Sequence, residues 1–127
     1  MEPTNLMTRS AEFTAGIAVA PVTDWRYYDT KWTEGLMGLP ANNPAGYEAT
    51  SLIARAKNLH GRLLLVHGTY DDNVQPQNEQ AFMAALIAHG IVFDAMIYPM
   101  RKHGIEDRAA RAHLFKTMID FWRRALS

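Results

Sequence analysis

Two stretches of the chain carry residues able to do acid–base chemistry together. The first, VHGTYDDNVQPQ at Val66–Gln77, runs from an apolar segment into a loop holding Asp71, Asp72 and Asn73. The second, YPMRKHGI, places His103 in a short loop after another apolar segment. A buried carboxylate bonded to an imidazole fixes its tautomer and stabilises the imidazolium, so such a pair can serve as acid and base in a nucleophilic hydrolysis. That chemistry also needs a nucleophile. The sequence has no G-x-S-x-G motif, and Ser10, Ser51 and Ser127 sit in none of the strand-turn-helix contexts it requires. A second reading stays open for each residue. Aspartate routinely caps the helix after a turn, a task better suited here to Asp72 and Asn73. His103 beside Gly104 can equally be a loop histidine with no partner, and His67 at a strand end reads as structural.

These side chains need elements to position them. Three short apolar runs, Ala15–Ala20, Leu63–His67 and Val92–Tyr98, read as buried strands bounded by Gly, Pro or polar residues. The second is apolar without alternation, as in a parallel strand covered on both faces. Gln77–His89 has helical spacing at Phe82, Leu86 and His89, with Pro76 in its first turn and Gly90 as its stop. Glu106–Leu126 is the longest helical candidate, with Phe115, Met118, Ile119, Trp122 and Leu126 as its apolar stripe. Tyr47–Asn58 is a weaker amphipathic candidate through Leu52, Ile53 and Ala56. Trp25–Gly38 reads as partly helical and Gly38–Gly46 as a loop. Strands alternating with helices predict an α/β fold: a short parallel sheet of about three strands with flanking helices. Sites in such sheets lie beyond the carboxyl ends of the strands. Asp71 and His103 are 32 residues apart, one helix plus one strand, so topology alone brings them to the same sheet edge.

Composition bounds the rest. The 127 residues suit one small domain, with residues 1–12 expected as a poorly defined lead-in. Thirteen basic and thirteen acidic residues balance, which gives no argument for nucleic acid. No apolar run is long enough for a membrane span. The start, MEPTNLMTRSAEF, lacks a basic segment followed by an apolar one, so no signal peptide is expected. The absence of cysteine excludes disulfides, a thiolate nucleophile and Cys-type metal sites. His60, His89 and His113 have no ligand spacing, and neither a metal nor a cofactor is expected.

HGTYDDNV followed by YPMRKHGI resembles the end of the catalytic domain in the prolyl oligopeptidase family of serine peptidases, within the α/β-hydrolases. GIAVAPVTDWRYYDTKWTEGLMGLP narrows the resemblance to the dipeptidyl peptidase IV branch, and the likeness runs from about Phe13 to Leu126. It implies a partial three-layer α/β-hydrolase fold, with Asp71 as triad acid, His103 as triad base and Asn73 as a contact for the substrate's backbone carbonyl. It also implies that Val22, Trp25, Tyr28, Trp32 and Val74 line a pocket for a proline-sized side chain, where apolar walls suit a ring without a hydrogen-bond donor. Trp32 departs from the family pattern, in which tyrosine is usual at that place.

The resemblance further implies that the nucleophile lies upstream of the first strand. The chain then reads as the C-terminal piece of a peptidase that releases N-terminal dipeptides after proline or alanine, with two of three triad members and no activity alone. Alternatives are an α/β-hydrolase of another substrate class, such as an esterase, and a non-catalytic scaffold or binding module. Without an earlier strand, the Gly16–Ala20 edge is open and predicts a homodimer or higher homo-oligomer. The family's dimer habit points to a second surface, around the helix after Asp71 and the strand Val92–Tyr98.

Overall fold

Leu63, Leu64, Leu65 and Val66 are all buried, which only the middle strand of a sheet covered on both faces allows. A computed structural model, describing residues 3–127, gives the element order α1 (Pro3–Arg9), β1 (Ala15–Val19), a 3-10 turn (Trp25–Tyr27), α2 (Thr30–Met37), α3 (Pro44–Thr50), a second 3-10 turn (Ala56–Asn58), β2 (Arg62–Gly68), α4 (Gln77–Ala88), β3 (Asp94–Tyr98) and α5 (Arg108–Ala125). The sheet is parallel throughout, ordered β1-β2-β3, with Ile17 opposite Leu64 and Val66 opposite Met96. No helix among the described residues is long and apolar enough to cross a membrane.

The pleat of β2 divides the core in two. Leu63 and Leu65 pack with Met7, Leu52, Ala56, Leu59, Phe82 and Leu86, joining β2 to α1, α4 and the second 3-10 turn. Leu64 and Val66 face the other way, against Tyr98, Ile105, Ala110 and Phe121 of β3, its loop and α5. The result is three layers, helices on both faces of a thin sheet, as the alternating pattern predicts.

Within the stretch expected as a lead-in, Pro3–Arg9 forms α1 and Met7 is 1% exposed in the core. Two expectations need correction. Tyr47–Asn58 is not one helix. The Leu52 N–H donates to the Thr23 carbonyl at 2.7 Å, and the Ser51 hydroxyl bonds Asp24, so the backbone leaves helical geometry at Ser51. In α5 the expected stripe faces outward: Phe115 is 57% exposed and Ile119 53%. The sheet instead receives Ala110 and Phe121, with Leu114 and Ala125 beside them. The helix carries two apolar faces, and the thin sheet takes the one with smaller residues.

Gly68 ends β2 where the two loops bearing Asp71 and His103 cross. A Cβ there would collide with the Arg101 backbone carbonyl, which already accepts the Tyr70 N–H at 2.9 Å. Backbone cannot step aside as a side-chain end can. Gly68→Ala is therefore expected to destabilise the fold by about 1–3 kcal/mol, read as a lowered midpoint in thermal or urea unfolding.

Candidate active site

Asp71 is the centre of a tight turn after β2. Its N–H donates to the Gly68 carbonyl at 3.2 Å, and its Oδ1 accepts from the N–H groups of Asn73 at 3.0 Å and Val74 at 2.8 Å. This is the self-bonding turn that aspartate favours. α4 begins at Gln77, with Pro76 at its N-cap and no side-chain cap, so neither Asp72 nor Asn73 takes the capping task expected from sequence. The other oxygen, Oδ2, lies 2.8 Å from His103 Nδ1. Because a carboxylate only accepts, Nδ1 carries the proton and Nε2 is the nitrogen Asp71 does not use. The Asp71 side chain is 0% exposed and that of His103 42%, so a buried anion orients an accessible imidazole.

The loop holding His103 is anchored at both ends. The Met100 N–H donates to Thr69 Oγ1 at 2.8 Å, and the Thr69 N–H to the Tyr98 carbonyl at 3.0 Å. Met100 and Ile105 both have positive φ, +60° and +45°. This region is costly for a β-branched residue, and it persists because Ile105 is buried at 2% exposure under α5.

An aromatic wall stands beside this pair. Trp25 and Trp32 stack at 4.9 Å, and Tyr28 meets both edge-on, at 5.8 Å and 5.7 Å. The Tyr28 hydroxyl donates to Asn73 Oδ1 at 2.8 Å, joining the wall to the Asp71 turn. Val74 is buried in that turn; Val22 is half-buried in the loop after β1, and no hydrogen bond or ring contact links it to the other site residues. Asp24 holds the wall's base. It caps the first 3-10 turn, accepts two hydrogen bonds from the Arg26 guanidinium at 2.8 Å each, and accepts one from Ser51 at 2.7 Å. Burial alone would push its carboxyl up, but the Arg26 and Ser51 hydrogen bonds and the Arg26 charge outweigh this and hold it below its ordinary value. Asn78 of α4 ties the same loop down by accepting from the Thr23 N–H at 3.1 Å.

One part of the site was missed from sequence. His67 lies buried between Asp71 and Glu79, with Nε2 3.1 Å from Asp71 Oδ2 and Nδ1 3.2 Å from Glu79 Oε2. A signal was present: Glu79 falls on the same helical stripe as Phe82 and Leu86, a carboxylate on a buried face. Among the described residues, no group of three or more His, Asp or Glu side chains is arranged to hold a metal ion.

Against known proteins, the family model described as "Prolyl oligopeptidase family" matches residues 4–127. Dipeptidyl peptidase 4 of Bos taurus is 40% identical over 121 residues, which cover 93% of this chain and 16% of that protein. Prolyl endopeptidase FAP of Mus musculus is 39% identical over 118 residues, 91% of this chain and 16% of that protein. The crystal structure of Porphyromonas gingivalis dipeptidyl peptidase 4 superposes with a TM-score of 0.91 at 42% identity, covering 94% of this chain and 17% of that one. The three strands and flanking helices are thus part of an α/β-hydrolase fold, and the chain spans about a sixth of the length of these relatives.

The Asp24 anchor has a pH signature. Its folded carboxyl titrates below its ordinary value of 3.8, so its contribution is present above that pH and is lost as pH falls through the folded value. The protein is expected to be about 1–3 kcal/mol more stable than Asp24→Asn near neutrality. Urea unfolding across the acid range should show that difference closing as Asp24 protonates.

Proposed function

The chain belongs to the prolyl oligopeptidase family, and we propose that it supplies two of the three catalytic groups of a dipeptidyl peptidase IV-like serine peptidase. The observation that carries this reading is the 2.8 Å contact between buried Asp71 Oδ2 and His103 Nδ1 at the carboxyl ends of parallel strands. With Nδ1–H held by Asp71, the His103 Nε2 lone pair takes the proton of a serine hydroxyl as it attacks the substrate carbonyl, then returns it to the leaving amine. Asp71 stays ionised and stabilises the imidazolium between those steps. The serine, in this reading, comes from outside these 127 residues.

Asn73 serves as the contact for a substrate carbonyl. Its Oδ1 is occupied by Tyr28, which leaves its amide N–H groups free to donate. Val22, Trp25, Tyr28, Trp32 and Val74 form the wall for a small apolar side chain such as proline. A ring inserted between two stacked indoles needs about 7 Å, twice the ~3.5 Å contact distance. Trp25 and Trp32 are 4.9 Å apart, so a substrate ring enters beside that stack and not within it.

The chain alone is expected to release no dipeptide from a chromogenic dipeptidyl substrate and to take no fluorophosphonate label, since it offers no activated serine. Stoichiometric labelling of Ser10 or Ser51 would overturn this reading.

We also propose that the chain associates with another copy of itself. Support comes from two exposed apolar surfaces. One is the outward stripe of α5, with Phe115, Ile119 and Leu126. The other comprises Ile87, Val92 and Ile97 on and between α4 and β3, the surface to which the family's dimer habit points. A two-fold contact buries such a face on both copies at once. Light scattering at low micromolar concentration should give a dimer or larger assembly, and Ile119→Asp should shift it towards monomer. A monomer for the unaltered chain would refute the association.

A further inference from the structure

His67 is a buried titratable group in contact with the catalytic aspartate that the mechanism above leaves unused. It shares the α4-facing side of β2 with Leu63 and Leu65, and its side chain is 1% exposed. Its Nε2 lies 2.7 Å from the Val74 carbonyl and 3.1 Å from Asp71 Oδ2. The Val74 carbonyl only accepts, so Nε2 carries a proton and donates it there, while Asp71 Oδ2 stands at ion-pair distance from the same nitrogen. On the opposite side of the ring, Nδ1 stands 3.2 Å from Glu79 Oε2, whose side chain is 2% exposed. That contact has ion-pair distance but lacks hydrogen-bond alignment, and Nδ1 has no other partner among the described residues. A bare Nδ1 would turn its lone pair towards a buried carboxylate, a repulsion that a proton on the ring removes.

The charged groups facing His67 are all acidic apart from His103, which lies beyond Asp71. Asp71 comes from the turn after β2 and Glu79 from α4. The neighbouring cations are engaged elsewhere, Arg101 with Asp107 and Lys102 with Asp72. Burial alone would push the His67 imidazole down, but Glu79, the Val74 carbonyl and Asp71 together raise it above its ordinary value.

We propose that Glu79 holds His67 as a buried imidazolium that shares Asp71 Oδ2 with His103, making His67 a positioning residue for the catalytic aspartate. The inference rests on reading Asp71 and His103 as the catalytic pair. Two imidazoles then draw on one carboxylate oxygen. His67 also clamps the Val74 carbonyl, and the Val74 N–H holds the other oxygen of Asp71. The whole turn is closed through His67, and the charge that Asp71 offers His103 is set partly by Glu79.

Nuclear magnetic resonance of this chain with isotope-labelled histidine tests the proposal without requiring activity. Near neutral pH, the His67 ring nitrogens should both show the imidazolium pattern. Glu79→Gln should turn His67 neutral and concentrate the Asp71 charge on His103, moving the hydrogen-bonded His103 Nδ1 proton downfield and slowing its exchange. Glu79→Asp, which keeps the charge, should retain the wild-type pattern and serves as the second variant if Glu79→Gln does not fold. Asp71→Asn provides the separate control: it should abolish the low-field His103 signal. If that signal survives Asp71→Asn, the catalytic reading itself fails. If it responds to Asp71→Asn but not to Glu79→Gln, or if wild-type His67 is neutral, the positioning proposal is overturned and the catalytic reading stands.

Discussion

Everything about the site depends on how the two oxygens of Asp71 are divided. Oδ1 is consumed by the turn, accepting two backbone N–H groups, and Oδ2 is turned towards His103. A carboxylate with both oxygens engaged cannot swing, so its direction is fixed by the fold itself. Its burial at 0% exposure would be costly for an unpaired charge. Here the hydrogen bonds and the neighbouring imidazoles offset that cost, which is why this anion can sit under a loop that also has to be accessible.

The sheet makes that division possible. Parallel pairing puts the carboxyl ends of β2 and β3 side by side, with Gly68 opposite Tyr98. The loop from β3 can then cross over Gly68 close enough for the Arg101 carbonyl to meet the Tyr70 N–H. A larger residue at Gly68 would hold the loops apart. The aromatic wall approaches from β1 and is pinned by Asp24 and Asn78, so three segments distant in sequence converge on one strand end. Two devices do the joining: backbone crossings between adjacent loops, and buried polar side chains fully engaged by partners.

The outer surfaces follow different rules. α5 presents one apolar face to the sheet and a second, larger one to solvent. The peptide backbone alone gives no preference between them. The sheet is thin, and it accommodates Ala110 and Ala125 next to a single large ring, Phe121, leaving Phe115, Ile119 and Leu126 outside.

Local pattern was enough for the backbone scheme. The strands Leu63–His67 and Val92–Tyr98, the helix from Gln77 and the parallel sheet were legible because apolar periodicity and turn residues are short-range signals. The placing of Asp71 and His103 at one sheet edge followed from strand order, with no contact information needed. Tertiary structure decided whatever depends on a partner far along the chain. The break at Ser51 comes from Thr23 and Asp24, and the link between Tyr28 and Asn73 spans 45 residues. The inward face of α5 was chosen by the sheet, and the burial of His67 between Asp71 and Glu79 arises only when α4 docks on β2. The physical reason is common to all four. Periodicity records how much apolar surface an element must bury, but the groups that satisfy its polar atoms are settled only when distant segments are packed together.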